Sequence, residues 1–93
     1  MPATLTLPSA FIRHDNHTPT GSFVVRTLPS PTNFMLIRNV DTTNAAQISF
    51  DGTNGFTINP GELLCFELVR QRTYWTKASA GSPALQVLLG SDQ

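Results

Sequence analysis

Charge is scarce in this chain. Only 13% of its 93 residues are Asp, Glu, Lys or Arg, about half the share of an ordinary soluble domain. Six basic side chains balance six acidic ones, so there is little electrostatic means of gripping nucleic acid or an anionic membrane, and neither partner is expected. One cysteine, Cys65, excludes an intramolecular disulfide. No apolar run approaches membrane-spanning length. The opening MPATLTLPSAF lacks the basic region and long apolar stretch of a secretory signal, so synthesis in a reducing cytoplasm is expected. No segment carries the 3.6-residue period of an amphipathic helix. Internal repeats, low-complexity tracts, a nucleophile elbow and Gly-rich phosphate loops are all missing.

What the chain does hold is strands and turns. Phe34–Val40, Ala46–Phe50, Phe56–Ile58, Glu62–Val69, Thr73–Ala78 and Ala84–Leu89 read as short strands, with Gly, Asn, Asp and Pro between them. Asp51-Gly52 and Asn54-Gly55 suit tight hairpins. Pro60-Gly61 fits the two central positions of a type II turn. Five of the seven prolines fall in residues 1–33, which therefore supply edge strands and connectors, with candidates at Ala10–Arg13 and Ser22–Leu28. The expected fold is all-β: a compact antiparallel sandwich or barrel, jelly-roll-like, over residues 10–93. Residues 1–9 are expected to form an extended N-terminal arm, with Thr4, Leu5 and Leu7 able to reach a neighbouring chain.

Candidate chemistry is sparse. His14 and His17 flank Asp15 in RHDNH, but no second cluster completes a metal site. A solvated polar loop is expected, with no metal and no cofactor; a metal shared at a symmetry axis is the form that remains open. Cys65, inside LLCFELV, is expected to be a buried, inert thiol. Arg38 stands in an otherwise apolar strand and is expected to find a carboxylate or carbonyl partner. Tyr74 and Trp75 lie beside Arg70, Arg72 and Lys77, but adjacent strand residues face opposite ways. One ring is therefore expected in the core and the other at an interface. No arrangement points to an enzyme.

In Glu62–Val69, Leu64, Phe66 and Leu68 share one face, and Leu63, Cys65, Glu67 and Val69 the other. Both faces are largely apolar. Leu63, Val69 and Trp75, together with Leu88, thus become candidates for an exposed contact surface.

The order Leu36-Ile37-Arg38-Asn39-Val40, Ile48-Ser49-Phe50-Asp51-Gly52, Ile58-Asn59-Pro60-Gly61-Glu62, Tyr74-Trp75-Thr76-Lys77-Ala78 and the closing Gly81 through Val87-Leu88-Leu89 resembles small β-sandwich virion proteins of tailed bacteriophages. That resemblance implies a structural subunit of the virion, assembled in the host cytoplasm. A capsid decoration or cement protein is its leading form, binding the major capsid protein or another virion protein and preferring a homotrimer. A tail, neck or head-fibre component is the structural alternative. From another class comes a carbohydrate-binding β module that stacks Trp75 or Tyr74 on a sugar.

Overall fold

The computed structural model describes residues 11–91, and among them every regular element is a strand. These are β1 (Phe11–His14), β2 (Val24–Asn39), β3 (Ala46–Ser49), β4 (Gly55–Ile58), β5 (Leu63–Ala78) and β6 (Leu85–Ser91). All pairings are antiparallel, in the order β1-β6-β2-β5-β3-β4. The expected all-β fold is therefore observed. The expected arm at residues 1–9 lies outside the described residues.

Two strands of sixteen residues each organise the sheet. The distal half of β2, Phe34–Arg38, pairs with Leu63–Glu67 of β5 on one side and with β6 on the other. The proximal half, Val24–Thr27, pairs with Thr73–Thr76 of β5. That end of β5 in turn carries β3, and β3 carries β4. One four-stranded layer is thus β1, β6, distal β2 and proximal β5; the other is proximal β2, distal β5, β3 and β4.

Between the layers the ladder shifts register twice. Four residues of β2 (28–31) face a single residue of β5 between the Thr27–Thr73 and Thr32–Gln71 pairs. Three residues of β5 (68–70) then face a single residue of β2 before the Phe34–Glu67 pair. Bulges of this kind let a strand bend and pass from one layer to the next. Pro29 and Pro31 lack the N–H that a regular ladder would demand, so they sit where the ladder is broken. Arg70 takes a left-handed φ of 50°, uncommon for a residue with a side chain, at the matching corner of β5. Sequence reading expected two strands in each of these stretches; paired bulges fuse each couple into one.

The core fills from both layers. Met35, Ile37, Leu85, Val87 and Leu89 come from the first, and Ala46, Ile48, Ile58 and Tyr74 from the second; all are buried. Leu64, Phe66 and Leu68 pack against them as expected, and the Phe50 ring meets Phe66 edge-on at 5.1 Å. Inward and outward positions alternate with a period of two along β5 from Leu63 to Val69 and again from Thr73 to Ala78, with the corner between them breaking the pattern.

Turns follow their residues. The Glu62 N–H donates to Asn59 O at 2.9 Å, and Gly61 has φ 77°, as the Pro60-Gly61 turn requires. Gly52 has φ 83°, and a Cβ there would sit 3.1 Å from the Trp75 ring. Ser49, although it follows the core residue Ile48 on β3, is buried too. Its hydroxyl donates to Asp51 and accepts the Asp51 and Gly52 N–H groups, so the turn closes over it. The Asp51 carboxylate is held below its ordinary pKa by N–H donors of Asn54 and Thr53, then by the Asn54 side chain and Ser49.

Phe34 is buried although it points away from the core side of β2. Its ring lies over Gly90 on the neighbouring strand, where a Cβ would overlap it. Gly90→Ala is expected to lower stability by about 1–3 kcal/mol, measured by urea unfolding. Adding Phe34→Leu should recover part of that loss.

Candidate functional site

The polar stretch after β1 is not a solvated loop, contrary to expectation. Asp15 accepts the fork of Arg26, Nη2 to Oδ1 at 2.5 Å and Nε to Oδ2 at 3.1 Å. Its Oδ2 also accepts the Tyr74 hydroxyl at 2.5 Å. Asn16 takes the Val87 N–H at 2.8 Å, and the backbones of Asp15 and His17 pair with Val87 and Leu85. RHDNH therefore clips the β1 edge of the first layer to Arg26 and Tyr74 of the second. Asp15 and His17, two of the three residues weighed as metal ligands, serve here as structural hydrogen-bonding groups.

His17 completes the clip. It lies 2.7 Å from Asp15 O through Nδ1 and 2.7 Å from Thr76 Oγ1 through Nε2. A carbonyl can only accept, so Nδ1 carries the proton and the Thr76 hydroxyl donates to Nε2. Burial lowers the His17 pKa; its bond to the Asp15 carbonyl works against that shift, while the Arg26 charge reinforces it. Burial also opposes ionisation of Asp15, yet hydrogen bonds from Arg26 and Tyr74 keep its carboxyl below the ordinary range. The Tyr74 phenol is pushed well up, first by burial and then by the Asp15 carboxylate. Arg26 rises through its hydrogen bond to Asp15. At neutral pH the cluster holds one cation, one anion and neutral partners, and the Thr76 hydroxyl that donates to His17 is buried.

His14 points the other way and is exposed. It helps to line a groove of about 360 Å³ on the outer face of the first layer, with Asn16, Leu36, Arg38, Leu63, Gln86, Val87 and Leu88. Register explains the grouping. His14 is opposite Leu88, Leu88 opposite Leu36, Gln86 opposite Arg38, and Arg38 opposite Leu63. Arg38 is exposed and needs no buried counter-charge, because its side of β2 is the open one. Among the described residues, no three His, Cys, Asp or Glu side chains gather as a metal site.

The expected contact residues are scattered. Leu63 is 53% exposed at the groove. Val69, 90% exposed, stands at the corner where β5 changes layers. Trp75, half-buried under the Gly52 turn, belongs to the outer face of the second layer. The fold does not bring these three together, and Thr4, Leu5 and Leu7 lie outside the described residues. Cys65 is exposed rather than buried, because odd positions of this part of β5 face outward beside Leu63 and Glu67. Of the two adjacent rings, Tyr74 is the one in the core.

Sequence reasoning missed the groove as a unit. Arg38, Leu63 and Leu88 drew notice singly, but their shared face depends on a register that no single strand reveals.

Tyr74→Phe should cost about 1.5–3 kcal/mol, as for a hydrogen bond to a charged group, nearer the low end because Asp15 is partly solvated. Urea unfolding at pH 7 measures it. For His17 the folded pKa is below the unfolded value of about 6.5, so the unfolded chain binds the proton first. Its stabilisation is complete above pH 6.5 and is lost as pH falls from there toward the lower folded pKa. A His17→Gln variant should show a flatter Tm profile than the parent between pH 7 and 5.

No family model, curated protein or solved structure matches this chain significantly.

Proposed function

We propose that the protein is a non-enzymatic structural subunit of a phage virion, a capsid decoration or cement protein that stabilises the shell by joining its neighbours. The observation that supports this most is the set of large apolar side chains left on a surface of little charge. Ile12, Phe56 and Leu63 are 53–55% exposed, and Val69 is 90% exposed. Single exposed apolar residues are ordinary; several on a small domain of zero net charge favour association. The side chains are spread over both layers and the corner between them, which suits a subunit with several neighbours.

A decoration subunit acts by burying area, at roughly 25 cal/mol per Å² before the entropic cost of association. The same surface serves a tail, neck or head-fibre component. A carbohydrate-binding module would have to stack its sugar on Trp75, since Tyr74 is spent on the core and on Asp15.

Light scattering across a dilution series tests the assembly reading. A stable trimer is the expected mass, and a monomer at every concentration would exclude a preformed trimer. Deleting residues 1–9 should weaken attachment to capsids in co-sedimentation while leaving the circular dichroism of the folded domain unchanged.

A further inference from the structure

We propose that the outer groove of the first layer docks an extended segment of a partner protein, one carrying an acidic side chain two residues from an apolar one. This rests on the reading of the protein as a subunit that binds another chain, and adds the chemistry of the segment it holds.

The groove has an apolar floor and a cationic rim. Leu36 and Leu88 are ladder neighbours, and Leu63 stands beside Arg38. Each faces away from the core on its strand, and Leu63 is half exposed. The ionisable side chains lining the groove are Arg38 and His14, and among the described residues no carboxylate lines it. Glu62, next to Leu63, directs its carboxylate to the Asn59 N–H at 2.9 Å and is committed to its own turn. The Asn16 side-chain oxygen is likewise taken by the Val87 N–H, which leaves its amide nitrogen as a donor. The unmatched charge at the groove is thus positive, and its free polar groups are mainly donors.

Geometry selects an extended occupant. The lining residues lie in two rows across the strands, His14–Leu88–Leu36 and Gln86–Arg38–Leu63. Leu36 and Arg38 are alternate residues of β2 and so stand roughly 7 Å apart, the spacing of alternate side chains in any extended chain. A segment running along β2 would set an apolar side chain on Leu36 and Leu88, and the next side chain on that face would meet Arg38. A carboxylate there gains the planar donor fork of the guanidinium. A volume of about 360 Å³ is at the small end of ligand clefts, enough for a few side chains rather than a folded surface.

The test is a titration of ¹⁵N-labelled full-length protein, followed by amide chemical shifts. The probe is the acetylated, amidated hexapeptide Thr-Leu-Thr-Glu-Thr-Leu, compared with the same peptide carrying Gln for Glu and with decanoate. Shifts centred on Leu36, Arg38, Leu63, Gln86 and Leu88 are expected. Affinity for the Glu peptide should be roughly threefold or more above the Gln peptide, the scale of a solvent-exposed ion pair. Arg38→Gln, whose dispersed spectrum reports that it still folds, should equalise the two peptides. Equal binding of both peptides to the parent, shifts that avoid the groove, or binding of decanoate alone would overturn the proposal. The oligomeric mass is read without any peptide, so the two proposals fail separately.

Discussion

Everything in this fold depends on β2 and β5 staying paired while they change layers together. A sheet closed by two shared strands must turn both at the same place, or the ladder between them would open. The bulges do this in complementary fashion: extra residues on β2 at 28–31 are followed by extra residues on β5 at 68–70. Beyond the corner the strands resume pairing, and the buried positions of β5 keep their alternation. Each layer then recruits two more strands by ordinary antiparallel addition. The left-handed backbone of Arg70 and the prolines of β2 belong to this corner, where regular pairing is already absent.

Closure of the sandwich relies on a polar seam as much as on the apolar core. Tyr74 buries its ring in the apolar core while its hydroxyl reaches Asp15 on the strap after β1. Arg26, from the edge of the second layer, meets the same carboxylate. His17 adds a second tie, to Thr76. The Tyr74 and His17 contacts join residues 59 positions apart in sequence, so they form only when both layers are in place. A chain with so few charges places one Asp–Arg pair where it holds the edge of one layer against the other.

The outward faces are what the fold leaves for association. With the core met by one face of each strand, the second face of β2, β5 and β6 remains for other contacts, and Arg38, Leu63 and Leu88 belong to it. The layer arrangement gathers some of these into the groove and sends Val69 to the corner and Trp75 under the Gly52 turn. A subunit built this way offers several small contact areas rather than one broad apolar patch, consistent with the proposed role among several virion neighbours.

Local chemistry in the sequence was enough to determine the strand-rich class, the Pro60-Gly61 and Asp51-Gly52 turns, and which side chains of β5 share a face. Each of these is set within a few residues, by backbone preference or by a period of two. Tertiary structure alone decided that four apparent strands are two, because bulges are defined by the partner strand. It decided that Cys65 lies outside and Ser49 inside, since burial depends on what covers a face. It also turned RHDNH from an apparent solvated loop into the clip between layers. Tyr74 and Thr76 are distant in sequence, and only the closed sandwich brings them, with Arg26, to Asp15 and His17.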